Sequence, residues 1–523
     1  MQINVIDTYS EFEKLQLNWD SVYQTDPDAQ FFLSWIWLSQ VFVQRKANWC
    51  ILAVKPEEGS SDYVAFFPLR VDTRMSKSRQ MFYNDIKMAG SFSWADYTGI
   101  ICLPDFEEEA IPSLAAGLKL MHWTNVYLKY FYASDRRLDL FIAQFPQSDF
   151  FIEKRQRTTR QGDNLLISPY VDLSDDFETH LKEKMSPNAR QKIRRLMRKI
   201  ENSENFHITH SVPDTYERDL TILVDFWEKK WVQDKGKDVE TLAKKYRNIL
   251  QQGLERDLVF MPVLWRDDTP LGVLGSFVDW EKKVLLFFVG GRDESCTDPP
   301  PGLVLHAHSI RWAIENGLKT YDLLRGDEKY KYSFGAAEHR TGYIILSTKS
   351  GTNLNRTLDP RSIDDVMKYT ARYQEAGRVK EAEKGYQQVL DVCPDNPVAL
   401  RRYGRLMYQN NNFAKAQEIY LRLVNTEPGK AAAWLRLGKS RLALNEFLNA
   451  ELALRKAIKL SPFKTLTARY YLGCALQGQD RETEAVREFK NILNLLPNDF
   501  EERKKQQKAR ERIENSKLQE QAS

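Results

Sequence analysis

A 34-residue period in the last third of the chain constrains its fold more than any other feature. Ala382, Ala416 and Ala450 keep that period, as do Tyr386, Tyr420 and Leu454, and again Pro394, Pro428 and Pro462. A fourth unit follows one residue out of step, with Ala485, Phe489 and Pro497 in the matching places. Between them lie Tyr403 with Gly404, Trp434 with Leu437 and Gly438, and Leu472 with Gly473. A unit this short cannot bury its apolar face alone, so the pattern predicts stacked helix pairs that share one continuous core. The small alanine lets the second helix approach the first, and the large residue four positions later fills the gap between them. The proline then ends the second helix, because it cannot continue the hydrogen-bond ladder.

At these positions the chain resembles the tetratricopeptide repeat family, with four repeats over residues 363–497. The resemblance implies a concave groove lined by the first helix of each pair, into which Arg401, Arg405 and Lys439 point. Such a groove suits a protein or peptide partner, and an acidic one in particular. The balance of charge agrees: residues 351–523 hold 31 basic and 22 acidic side chains, against 45 and 50 in residues 1–350. The charged stretch 498–523 reads as a solvating cap helix and tail, and residues 351–362 as a linker.

At 523 residues the chain exceeds what one core can organise, so further domains precede the repeats. No run of eighteen uncharged apolar residues and no secretory signal is visible, which places the protein in the cytoplasm. Five scattered cysteines without a CxxC pair argue against disulfides or a cysteine metal site. His306 and His308, two apart on a predicted helix, face different ways and make a poor metal pair, so no metal is expected.

Residues 1–350 alternate strand and helix patterns, an α/β architecture. Segments 258–265, 272–280 and 283–291 read as three strands joined by tight polar turns. After a loop with three prolines, LVLHAHSIRWAIENG has helical spacing and stops at Gly317. Strands TYDLL and GYIILS (342–347) close the series. In the first 165 residues FFLSWIWLSQVF reads as a buried helix and YVAFFPLRV as a strand. The basic helix 188–200 puts Ile193, Leu196, Met197 and Ile200 on one face, with Arg190, Arg194, Arg195, Arg198 and Lys199 around it.

The order of meander, loop, helix and strand resembles the GNAT acyltransferase superfamily. The Pro301–Gly302 helix start, the Asn316–Gly317 stop and the run TYDLLRGDEKYKYSFG bring it closer to the branch related to FemABX peptidyl transferases and CelD-type proteins of bacterial polysaccharide clusters. FETHLKEKMSPNARQKIRRLMRKIE and the FWEKKW helix at 226–231 add to that likeness. The resemblance implies tandem GNAT-like halves with a mixed sheet, a degenerate one at 1–165 and an acyltransferase domain at 166–350, ahead of the all-α repeat solenoid. It also implies an acyl-CoA co-substrate, acetyl-CoA among them, and an amine acceptor on a sugar or amino-acid precursor. The donor arm would lie where two strands part, near Val289, Gly290 and Gly291. Its pyrophosphate would meet the helix start at Pro301, Gly302 and Leu303, where free amides and the helix dipole favour an anion. Asp322 and Arg325 at a strand end, with the Tyr330–Lys331 pair, are the candidate catalytic residues: the lysine for oxyanion charge, the tyrosine to reprotonate the leaving group. Asp96 and Tyr97, in SWADYTG, would form the acceptor wall of a cleft shared by the halves.

The sequence departs from the superfamily at the phosphate loop, where three prolines precede a single glycine and the usual Gly-rich pattern is missing. Two other readings therefore stand beside the enzyme: a scaffold with a transferase fold that has lost its chemistry, and a transferase that takes its acyl group from aminoacyl-tRNA. Apart from that tRNA, no nucleic-acid partner is expected.

Overall fold

The computed structural model describes residues 1–43, 48–90, 94–463 and 465–522; Ser93 of the SWADYTG motif and the terminal Ser523 lie outside them. The chain divides into two units, residues 1–72 with 85–351, and residues 73–84 with 352–523.

The strands, in chain order, are β1 (Gln2–Ile6), β2 (Trp49–Lys55), β3 (Ala65–Ser76), β4 (Met81–Met88), β5 (Ile101–Cys102), β6 (Asn125–Phe131), β7 (Phe150–Lys154), β8 (Ile167–Asp172), β9 (Phe206–His210), β10 (Val259–Phe260), β11 (Pro262–Arg266), β12 (Thr269–Asp279), β13 (Val284–Arg292), β14 (Thr320–Asp322), β15 (Ala337–Arg340) and β16 (Gly342–Thr348). They form two mixed sheets. One runs β1-β2-β3-β4-β6-β16-β7 with β5 on β3, the other β9-β11-β12-β13-β14-β8-β15 with β10 on β12. Position by position the two paths match. Each has one parallel pair, β4 with β6 and β13 with β14, spanned by the helices Glu107–Leu120 and Pro301–Glu315. A parallel pair needs such a crossover, and this repetition marks two halves of one architecture.

The halves exchange their last strands. β8 follows β7 as β16 follows β15, yet β8 lies between β14 and β15 while β16 lies between β6 and β7. GYIILS therefore does not close the second half's own sheet. Its apolar Ile344, Ile345 and Leu346 complete the first sheet instead. The strand read at 258–265 is broken at Met261, so β10 and β11 are separate strands; β10 pairs β12 alone, and β11 pairs both β12 and β9. The expected buried helix near residue 31 is a 3-10 turn, Phe31–Leu33, followed by the helix Trp35–Val43. The basic helix runs Pro187–Glu201; Ser186 caps it by accepting from the Ala189 N–H, and its four apolar residues are buried.

In the second unit the four helix pairs are Ile363–Glu375 with Val379–Val392, Pro397–Gln409 with Phe413–Thr426, Ala431–Ala443 with Phe447–Leu460, and Leu466–Gln477 with Glu482–Leu493. The recurring alanines are fully buried. The repeated glycines have a physical reason: a Cβ at Gly404, Gly438 or Gly473 would meet Tyr420, Leu454 or Phe489 at 2.5, 2.7 or 2.4 Å. The cap helix Phe500–Ala522 buries Ala509 and Ile513, and Gln506 donates to the carbonyls of Ile492 and Leu495. Residues 351–362 are not a bare tether. Asn353, Asp359 and Ser362 are buried, and the Asn84 side chain accepts from the Asp359 N–H at 2.8 Å. Phe82 exchanges two hydrogen bonds with Gln388, so residues 73–84 form part of this unit's core. Among the described residues no helix is long and apolar enough to cross a membrane, and no group of three metal-ligating side chains is found.

Candidate active site

Strands β13 and β14 pair over three residues only, the last being Leu286 with Asp322. β13 then runs on to Arg292 with no strand beside that edge among the described residues, and a bulge opposite Gly275 and Ser276 bends it away. The sheet forks here. On one side of the fork lies a cavity of about 400 Å³ lined by Leu274, Phe287, Leu305 and Phe334 in its apolar part, with Lys192, Lys230 and Arg292 supplying cations. Gly290, Gly291, Gly302, Leu303 and Tyr330 also line it. Val289 and Pro301, expected there too, do not: both are buried, Val289 in the apolar core and Pro301 against Gly272. Gly291 is glycine for packing, since a Cβ would meet the Leu223 carbonyl at 2.6 Å.

The helix Pro301–Glu315 opens onto this cavity without a side-chain cap. Its first amides and its dipole favour an anion, and Arg292 reinforces them: its Nη1 would lie 3.2 Å from a Cβ on Gly302. Arg292 and Lys230 also approach Glu294, at 2.9 and 3.5 Å. The cations that line the mouth thus come from side chains, where the superfamily pattern uses a glycine-rich backbone.

Alternation along β14 sends neighbouring side chains to opposite faces. Tyr321 turns to the helix, where its hydroxyl shares a 2.7 Å hydrogen bond with His306 Nδ1. His306 lines the cavity, and burial, with Lys331 and Arg292 nearby, lowers its pKa to about 3. It is a neutral imidazole at any working pH. Sequence reading set His306 aside as half of a poor metal pair with His308.

Asp322 turns the other way, to the first half. The Tyr97 hydroxyl donates to Asp322 Oδ2 at 2.7 Å and the Leu324 N–H to Oδ1 at 2.7 Å. Burial raises the Asp322 pKa to about 7, although those two bonds and nearby Lys331 pull it down, and Asp96 adds to the rise. Asp96 is also raised by burial, against the pull of Arg325, whose Nε lies 3.0 Å from Asp96 Oδ1. The pairs Asp322–Tyr97 and Arg325–Asp96 therefore stitch the two halves together at the fork. Sequence reading named all four residues without their pairing.

Lys331 is placed differently from its expected role. Its Nζ donates to the carbonyls of Leu324, Arg325 and Gly326 at 3.1, 2.9 and 2.9 Å, with the Glu328 carboxylate 2.9 Å away, and its side chain is 3% exposed. Positive φ at Leu324 and Gly326 turns those three carbonyls to one point. With its three donors engaged, the lysine is not directed at the cavity.

Residues 187–332, which hold the β13–β14 fork and its cavity lining apart from Ser333 and Phe334, match the family model described as an acetyltransferase (GNAT) domain. Residues 373–442 and 431–464 match tetratricopeptide repeat models. The chain carries a GNAT-type acetyltransferase domain followed by tetratricopeptide repeats. A search of curated proteins returned no match. Among solved structures, the crystal structure of FemX is similar over 66% of this chain and 97% of its own, at 10% identity and TM-score 0.45. A conserved protein of unknown function from Bacteroides thetaiotaomicron aligns over 66% of this chain and 99% of its own, at 13% identity and TM-score 0.39. A MamA structure aligns over 31% of this chain and 92% of its own, at 19% identity and TM-score 0.26. At such scores the assignment rests on the family models.

In the repeat unit Arg405 and Lys439 share a cavity of about 330 Å³ with Tyr408, Gln409, Tyr420 and Arg436. Lys439 Nζ stands 5.0 Å from the ring centres of both Tyr408 and Tyr471, and burial, with Lys505 and Arg436 near, lowers its pKa. Arg401 does not line that cavity; it donates to the Pro397 carbonyl at 3.0 Å and faces Glu427 at 3.9 Å. Arg436, missed in the sequence, stands one helical turn before Lys439.

Proposed function

We propose that this protein is an acyl-CoA-dependent N-acyltransferase of the cytoplasm. It acts on an amine of a sugar or amino-acid precursor for cell-surface polysaccharide, and its repeats dock a protein partner with an acidic segment. The fork between β13 and β14 carries the reading: a cavity with an apolar body and a cationic, helix-capped mouth on one side, and a buried carboxyl titrating near neutrality on the other. That shape fits a donor with a pantetheine-like arm and a phosphate head. Val289 and Pro301 would support its walls, while Gly290, Gly291, Gly302 and Leu303 would touch it.

In the reaction the acceptor nitrogen attacks the thioester carbonyl, forming a C–N bond as the C–S bond breaks. Asp322 takes the proton that the nitrogen loses, and its pKa near 7 suits that task. Asp96 and Arg325, with Tyr97, hold the acceptor side. Tyr330, about half exposed on the lining of the cavity, is placed to give its proton to the departing thiolate. Lys331 is a positioning residue, which fixes the loop that carries Leu324 and Arg325. Unpaired backbone amides of β13 beyond Leu286 take over the oxyanion role first given to the lysine. The repeat groove would be served by Arg405, Arg436 and Lys439 from within its cavity and by Arg401 beside it.

A thiol-release assay with acetyl-CoA against a panel of amino sugars and amino acids tests this. At least one amine should release thiol in proportion to enzyme. Tyr330→Phe should then lower kcat about tenfold with KM for acetyl-CoA within twofold of the parent. Release by no amine, or full activity in that variant, would count against the assignment.

A further inference from the structure

The cleft between the two halves holds a second charged feature that the donor cavity does not use. At the end of β6, three cations converge on one buried ring: Lys129 Nζ stands 4.8 Å, the Arg325 guanidinium 4.6 Å and the Arg157 guanidinium 5.8 Å from the centre of Tyr130. Three side chains carry positive charge and one carboxylate, Asp96, answers them through Arg325. Neither Lys129 nor Arg157 has an anionic partner among the described residues. Lys87 and Arg70, also near Lys129, share Asp72. The face of an aromatic ring attracts cations, but weakly, and it does not neutralise three of them.

The backbone is held to keep this arrangement. Tyr130 has φ +57° and Leu324, beside Arg325, has φ +54°, both costly for residues with side chains. Thr98 pins the first of these turns: its N–H donates to the Tyr130 carbonyl at 2.8 Å, and its hydroxyl to the Lys129 carbonyl at 2.8 Å. Such a crowd of like charge is unfavourable unless an anion completes it.

We infer that Lys129, Arg157 and Arg325 form a phosphoryl-binding subsite around Tyr130 that takes the phosphate or diphosphate of the acceptor. The inference rests on the acyltransferase reading in calling that ligand the acceptor. Charge selects the class. Three cations less one carboxylate leave an excess of two positive charges at the ring, and Lys87 with Arg70 less Asp72 adds another nearby, which a phosphate monoester or a diphosphate answers better than a single carboxylate. Arg325 places the subsite beside Asp96 and Asp322, so an amine on the same molecule would lie within reach of the fork. Burial, together with Arg157 and Arg325, lowers the Lys129 pKa to about 8, which gives the site a chemical signature.

Calorimetric titration of the full-length protein with pyrophosphate tests the subsite without turnover, and acetyl-CoA titration of the same samples reports the donor cavity separately. Pyrophosphate should bind, with affinity at least tenfold lower in Arg157→Gln and in Lys129→Gln, while acetyl-CoA affinity changes less than twofold. Amine-directed labelling at pH 8 should modify Lys129 readily and slow severalfold when pyrophosphate is present. Neither variant should lower the melting temperature, because each removes an unpaired cation. The subsite is refuted if pyrophosphate fails to bind, if both variants bind it as the parent does, or if binding is lost instead in Arg292→Gln, which would place the anion at the donor cavity. Binding of glutamate as tight as that of pyrophosphate would refute the phosphoryl class. Absence of acetyl-CoA binding with the pyrophosphate results intact would count against the acyltransferase reading alone.

Discussion

Replacing Asp322 by asparagine is expected to lower kcat by about 10²–10⁴ and to make the folded protein more stable above pH 7. The two effects share one cause. Asp322 is 1% exposed, and its carboxyl has been moved from the ordinary range near 3.9 to about 7. Between those values the folded chain keeps a proton that the unfolded chain has released. Stability from this group is therefore fully present below about pH 4, declines as pH rises, and is lost above about pH 7. A difference of about three pKa units corresponds to a contribution on the order of 2–4 kcal/mol, which the neutral amide does not forfeit. Asparagine keeps an oxygen for the Leu324 N–H but cannot accept a proton from the substrate. Urea unfolding of parent and variant at pH 4.5 and pH 8 would show the two curves diverging as pH rises. Equal pH dependence would mean that this carboxyl is ionised in the fold and is not poised as a base.

Lys331→Met should destabilise the GNAT-type domain by about 3–5 kcal/mol, because it leaves three buried carbonyls and the Glu328 carboxylate without their common donor. Activity should fall as well, since the freed loop carries Leu324 and Arg325. Denaturant titration separates this positioning role from a chemical one. A loss of activity with stability unchanged to within about 1 kcal/mol would return the lysine to the oxyanion role that its sequence position suggests.

The repeat solenoid was legible because its signal is local: alanine, aromatic and proline recur within one 34-residue unit, and Gly404 meets Tyr420 as the spacing requires. The β13–helix–β14 order was legible for the same reason. The exchange of β8 and β16 was not, because GYIILS has the same apolar pattern in either sheet and only tertiary pairing decides between them. Among the proposed site residues, Asp322 and Arg325 were named from their place at a strand end and Tyr330 from its pairing with Lys331, whereas the role expected of Lys331 did not foresee its bonds to a loop five to seven residues earlier. His306 gave no sequence signal apart from its apolar helix. Lys192, Lys230 and Arg292 could have been suspected, the first from the basic character of its helix, the second from the FWEKKW run and the third from its place at the end of β13.

Calorimetric titration with acetyl-CoA of the parent protein and of Gly302→Asp tests the central claim most directly. An aspartate there would set a carboxylate against Arg292 and the helix start, where the donor phosphates are proposed to lie. The account predicts one site per chain with micromolar affinity, weakened at least tenfold in the variant. No binding to the parent, or equal binding to both, would contradict it.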